Sequence, residues 1–209
     1  MSIDISSAII YLIDDEPVIC DSIKCFIEST GLNIKCFNSA EGFLANYDNR
    51  QPGCLILDVR MPVMNGLELQ ELLLKENIEI PIIFISGNAN IPDSAKAFRA
   101  GALDFLEKPF DNQLLLERLH EAIVKDIESR NKKFKNEHLY INFNRLTCRE
   151  KEVLKLLIDH NSSKQIARQL DISPRTIDAH RARIMEKMQA NNVVELVAKA
   201  LYCRELFEF

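Results

Sequence analysis

Five short apolar runs, at 8–13, 32–37, 54–57, 80–85 and 102–106, recur through the first half of the chain, each followed by a longer amphipathic stretch. The runs are rich in Ile and Leu and lack clean alternation of apolar with polar residues, which is the pattern of strands covered on both faces. Between them, 17–29, 40–47, 67–77 and 94–100 have helical character, several opened by Pro, Ser or Asn near the first turn. A fifth helix begins near Asp111, with Leu116, Leu119, Ile123 and Ile127 along one face. Five β-α repeats joined by right-handed crossovers predict a five-stranded, doubly wound parallel sheet of the α/β class. In such a sheet the ligand site lies at the carboxyl ends of the strands.

The pattern changes after Ile127. The sequence NKKFKNEH has no apolar period, so 128–140 is expected to be a linker that carries the helix on for a turn or two. From Leu146 onward only helical periodicity remains, with helices expected at 147–159, 162–170, 174–188 and 192–205. The expected division is thus a domain at 1–127, a linker at 128–140 and an all-α four-helix domain at 141–209. Charge follows the same division. Residues 1–125 carry ten Lys and Arg against 19 Asp and Glu, a net of −9, whereas residues 139–209 carry 12 against nine, a net of +3. An acidic, ion-binding module followed by an anion-binding one fits that asymmetry. Six cysteines without a C-x-x-C pair, several in apolar segments, read as buried reduced thiols. The opening MSIDISSAIIYLIDDE has no basic segment, and its apolar run is too short for a signal peptide or a membrane span. A cytoplasmic location away from membranes is expected.

Asp14, Asp15, Asp58, Ser86 and Lys108 all fall at or just after the ends of apolar runs. A lone Asp at a strand end is usually a cap or a solvated charge; the constellation is what carries chemistry. Three carboxylates at adjoining strand ends repel one another and raise the pKa of at least one, unless a cation sits among them. Mg²⁺ suits such hard oxygen ligands, retains water and bridges to phosphate oxygens. A lysine across the pocket supplies the opposite charge, and the Ser86 hydroxyl can donate to a new oxyanion. These residues predict a pocket for in-line phosphoryl transfer to Asp58.

In the tail, Ser162-Ser163-Lys164-Gln165-Ile166-Ala167 opens a short helix with a hydroxyl cap, Leu170 to Pro174 turns, and Ser173 with Pro174 starts the next helix. On that helix Ile177, Ile184 and Met188 form an inner stripe, leaving Arg175, Asp178, Ala179, Ala182 and Arg183 outside. Small residues among cations suit close approach to base edges and phosphates, although a charge run alone is as readily a solvated face.

The segments LIDDEP, LILDVRMPVMNGLEL, PIIFISG and AGALDFLEKPF resemble the receiver domain of bacterial two-component response regulators, the CheY-like fold, over residues 8 to about 125. The stretch LTCREKEVLKLL with SKQIARQLDISPRTIDAHRARIMEKM is similar to LuxR-type helix-turn-helix output domains over about 143–205. Together they resemble the FixJ/NarL family. That resemblance implies that Asp58 accepts a phosphoryl group from a sensor histidine kinase, and that Asp14, Asp15, Asp58 and the backbone carbonyl of Arg60 hold Mg²⁺. It makes Lys108 the phosphate-neutralising lysine, Ser86 and Phe105 the switch pair, and Lys108-Pro109 a common place for a cis peptide. Phe105 read alone is core. Arg60 and Asn88 border the path of attacking water. The resemblance also implies Mg²⁺-dependent self-phosphorylation and self-dephosphorylation only, with no further enzyme activity.

For the tail, the resemblance puts Asp178, Ala179 and Ala182 nearest the bases of double-stranded DNA. Lys164, Arg175, Arg181 and Arg183 meet phosphate, and Thr176 joins the contact set. His180 reads as interior or capping. Phosphorylation is expected to drive a homodimer through the face of helix 4, strand 5 and helix 5. Activation is expected through RNA polymerase holding its housekeeping sigma factor. The sequence departs from the family at His160, Asp171 and Gln189, where Gly is usual, and at Ser163, where Asn is usual. Two alternatives stay open: a tail that docks to a protein, and a haloacid-dehalogenase-type phosphatase. The latter class needs a second Asp where Arg60 stands.

Overall fold

The computed structural model describes residues 5–87, 91–159 and 162–207, and for residues 205–207 the backbone alone. Two compact units, Met1–Asn131 and Lys132–Phe209, divide the chain. In the first, β1 (Ile9–Ile13), β2 (Asn33–Phe37), β3 (Gly53–Asp58), β4 (Ile82–Ser86) and β5 (Asp104–Glu107) form one sheet in the order β2-β1-β3-β4-β5. All four pairings are parallel. Its helices are α1 (Pro17–Ser29), α2 (Ala40–Asn46), α3 (Gly66–Lys75), α4 (Ile91–Arg99) and α5 (Asn112–Asn144).

Alternate strand residues separate two apolar layers. Tyr11, Ile13, Leu55, Leu57 and Phe84 pack with Phe43 of α2, Leu69 and Leu73 of α3 and Ala97 of α4. Ile10, Leu12, Ile56, Ile83 and Ile85 pack on the other face with Ile23 and Ile27 of α1 and Leu115, Leu119 and Ile123 of α5. A strand buried on both faces has no polar side to alternate with, which explains the continuous apolar runs. β2 sits at the sheet edge and is correspondingly mixed in burial.

Most boundaries depart from the expected ones by a residue or two. α4 begins at Ile91 rather than at 94, because Pro92 lies in its first turn, where an N–H is not needed. α5 covers the stretch 128–140 and continues to Asn144, 33 residues in all. In the second unit, α6 (Cys148–Ile158), α7 (Ser163–Gln169), α8 (Pro174–Lys187) and α9 (Val193–Phe207) surround Val153, Leu154, Ile166, Ile177, Ile184, Met188, Leu196 and Ala200. Thr147 and Glu150 close a capping box on α6, and Ser162 with Gln165 does the same for α7.

Candidate functional site: an acidic pocket and a helix-turn-helix

The parallel register delivers the pocket residues to one edge of the sheet. Asp14 follows β1 and is held in line by its N–H donating to the Phe37 carbonyl (3.1 Å); Asp58 ends β3 and Ser86 ends β4. Lys108 follows β5, and its N–H donates to the Ser86 carbonyl (2.8 Å) before the cis Lys108-Pro109 peptide. Asp14, Asp58 and Ser86 are all buried. Gly66, at the start of α3, lies so close to the Asp58 carbonyl that any side chain there would collide with backbone.

Lys108 draws the two buried carboxylates together. Its Nζ donates to Asp14 Oδ2 at 2.6 Å and to Asp58 Oδ1 at 2.8 Å. The second oxygens are also used: Asp14 Oδ1 accepts from the Glu16 N–H (2.9 Å) and Asp58 Oδ2 from the Arg60 N–H (2.7 Å). Burial pushes the Asp58 carboxyl above its ordinary value against the opposing pull of Lys108. Burial alone would lower the Lys108 ammonium, but its hydrogen bonds to Asp14 and Asp58 raise it. Two carboxylates against one ammonium leave the pocket with excess negative charge; Asp15, next to Asp14 in the sequence, is half-buried and makes no ion pair with Lys108. Among the described residues no three acidic, His or Cys side chains converge as a ready metal cluster, and the Lys108 ammonium lies between Asp14 and Asp58. The donor chemistry, hard oxygens with an uncompensated charge, fits a small divalent cation.

Phe105 is half-buried in β5 and stacks on Phe84, with ring centroids 6.1 Å apart. Arg60 is exposed; Asn88 and His160 lie outside the described residues. Two pocket neighbours escaped the sequence reading. Glu16 Oε1 lies 3.9 Å from Lys108 Nζ, and Cys20 Sγ donates to the Asp14 carbonyl at 3.3 Å. Glu16 had a signal, as a third acid in DDE. Cys20 had none beyond its place on the inner face of α1.

In the second unit the turn between α7 and α8 is built by Asp171, at φ +52°, with the Ile172 N–H donating to the Ala167 carbonyl (3.0 Å). Ser173 caps α8 through the Thr176 N–H and also shares a 2.8 Å hydrogen bond with the Thr176 hydroxyl. Ile177, Ile184 and Met188 are fully buried, as the inner stripe requires. Lys164, Arg175, Thr176, Asp178, Ala179, Ala182 and Arg183 are exposed. Arg181 differs: it is half-buried, and its Nη1 donates to Ser163 Oγ at 2.8 Å. Lys187 Nζ, 2.7 Å from Glu150 Oε2, ties α8 to the cap of α6.

Residues 10–120 match the response regulator receiver domain, and residues 144–200 match the bacterial regulatory proteins of the luxR family. The chain belongs to the response regulators of the FixJ/NarL family. It is 40% identical over 191 residues to the response regulator protein TodT of Pseudomonas putida, covering 91% of this chain and 84% of that one. It is 36% identical to the transcriptional regulatory protein FixJ of Bradyrhizobium diazoefficiens, covering 92% of this chain and 94% of that one. The solved response regulator StyR superposes with a TM-score of 0.87 at 35% identity, covering 94% of this chain and 99% of that one. Full-length FixJ from B. japonicum gives 0.56 at 36% identity, covering 92% and 95%. A receiver joined to a LuxR-type DNA-binding domain makes this response regulator a phosphorylation-dependent regulator of transcription, with a histidine kinase and DNA as partners. Receiver domains generally use Mg²⁺ at the phosphorylation site. Among the described residues no helix is long and apolar enough to cross a membrane.

Proposed function

We propose that Asp58 is the phosphoacceptor, and that its phosphorylation pairs two copies of this cytoplasmic response regulator on DNA. The observation that carries the reading is the Lys108 ammonium held between the buried Asp14 and Asp58 carboxylates. In the transfer an Asp58 oxygen forms a bond to phosphorus as the bond from phosphorus to the kinase histidine breaks, and the electron pair leaves with the imidazole. Lys108 then exchanges its Asp58 contact for a phosphoryl oxygen, and the Ser86 hydroxyl donates to another. Asp14, Asp15, Asp58 and the Arg60 carbonyl are the residues that would hold Mg²⁺, which when bound neutralises charge on the phosphoryl oxygens. Movement of Ser86 toward the phosphoryl group draws Phe105 with it and reshapes the face of α4, β5 and α5, where the second copy pairs.

The exposed face of α8 enters the major groove, with Asp178, Ala179 and Ala182 toward the bases. Lys164, Arg175, Thr176 and Arg183 lie toward phosphate, with Arg181 beside them. Activation then proceeds by contact with RNA polymerase. The phosphorylation chemistry is limited to Mg²⁺-dependent self-phosphorylation and self-dephosphorylation. Incubation with radiolabelled acetyl phosphate and Mg²⁺ tests the acceptor: the wild type takes up one phosphoryl group per chain and Asp58→Asn takes up none. Undiminished label in that variant would refute the assignment.

A further inference from the structure

Ser163 opens α7 and Asp178 lies in the second turn of α8, yet their side chains meet. Ser163 Oγ donates to Asp178 Oδ1 at 3.1 Å while accepting from Arg181 Nη1 at 2.8 Å. A hydroxyl has one proton to give and lone pairs to receive. The arginine N–H directed at Oγ therefore leaves the hydroxyl proton for Asp178, and the three groups form a chain of fixed polarity. Arg181 Nη1 is itself 3.9 Å from Asp178 Oδ1, and its side chain is only 29% exposed against 64% for the aspartate. Arginine thus lies beneath, serine in the middle and the carboxylate outermost. Among the described residues Asp178 Oδ2 has no hydrogen-bond partner.

We infer that Ser163 is a specificity-positioning residue, whose hydroxyl aims the Asp178 carboxylate at a base carrying an exocyclic amine in the major groove. The inference rests on the reading of α8 as the groove helix. A carboxylate only accepts, so on a base edge it meets the N4 amine of cytosine, or less commonly the N6 amine of adenine, and it is repelled by phosphate. Such a group discriminates only when its direction is fixed. Without the serine hydroxyl, Arg181 closes the remaining distance to Asp178, turns the carboxylate inward and neutralises it. Ser163 touches no base; it acts through Asp178.

The test is selection of binding sites by the full chain, treated with acetyl phosphate, from a randomised duplex library, followed by affinities for single-base variants across a salt series. The wild type is expected to prefer cytosine or adenine at one position of each half-site. In Ser163→Ala that preference falls by about tenfold, at the position where Asp178→Ala also loses it. Adding Ser163→Ala to Asp178→Ala changes nothing more, and Ser163→Thr, which keeps the hydroxyl, restores the preference. The salt slope stays close to that of the wild type, because the exposed Lys164, Arg175 and Arg183 are untouched and Arg181 is already turned to Ser163 and Asp178. An unchanged preference in Ser163→Ala, a loss at some other position, or failure of threonine to restore it overturns the proposal. If the wild type selects no sequence at all, the groove reading of α8 fails and the proposal falls with it.

Discussion

Lys108 shows how one residue can be both structural and chemical. Its ammonium offsets part of the repulsion between two buried carboxylates, and that same position is where a phosphoryl oxygen would need a cation. The acids and the lysine were legible because each interrupts an apolar run. The direct ion pairs across the strand ends were not, since sequence order does not show that residues 94 and 50 positions apart touch. Val63 was equally invisible. It stands at φ +69° with the Met64 N–H donating to the Pro62 carbonyl at 2.8 Å, the hydrogen bond of a three-residue γ-turn, and the residue is 95% exposed. A β-branched residue is strained in that geometry and packs on nothing here to offset the cost. Val63→Gly is therefore expected to stabilise the receiver unit by about 1 kcal/mol, measured as a raised urea midpoint; an unchanged or lowered midpoint contradicts the strain.

At the scale of elements, helix ends follow capping rules closely. α8 closes with the Gln189 N–H on the Glu186 carbonyl (3.0 Å) and the Ala190 N–H on the Met185 carbonyl (2.9 Å), a Schellman motif with Gln189 at φ +50°. Asp171 and Gln189 occupy left-handed positions where family members usually carry Gly, so the departures noted in the sequence keep the backbone and change only its cost. Helix α6 has a second stabiliser. Burial tends to raise the Glu150 carboxyl, but the Lys187 ammonium and the Thr147 N–H and hydroxyl outweigh it, holding Glu150 below its ordinary 4.5. A depressed carboxyl contributes stability that is present above pH 4.5 and lost as the pH falls through the folded value. Amide exchange in the full chain should show α6 and α8 losing protection as the pH drops below about 4.5, and Glu150→Gln should remove that dependence. The same dependence in the variant would assign it to another group. The sequence carried the helix only a turn or two into 128–140, whereas α5 runs through it to Asn144, and the reason for the shortfall is physical. Periodicity reports burial rather than helicity, and most of that stretch is exposed, with Phe134 at 61%.

At the scale of the molecule, the charge division proved the more informative composition signal. The acidic first part is the receiver domain, and the part with a net of +3 is the LuxR-type DNA-binding domain. The boundary between the compact units falls inside α5, between Asn131 and Lys132. Few net positive charges imply weak binding by one copy, so the proposed pairing would supply much of the affinity on a two-fold site. Under the proposed pairing, phosphorylation would control DNA binding through the concentration of pairs. The direct measurement is the affinity of the full chain for a selected duplex before and after acetyl phosphate treatment, in the wild type and in Asp58→Asn. Treatment is expected to tighten wild-type binding by roughly tenfold or more with a shift to dimer, while Asp58→Asn does not respond; an equal response in that variant, or none in the wild type, would contradict control through Asp58.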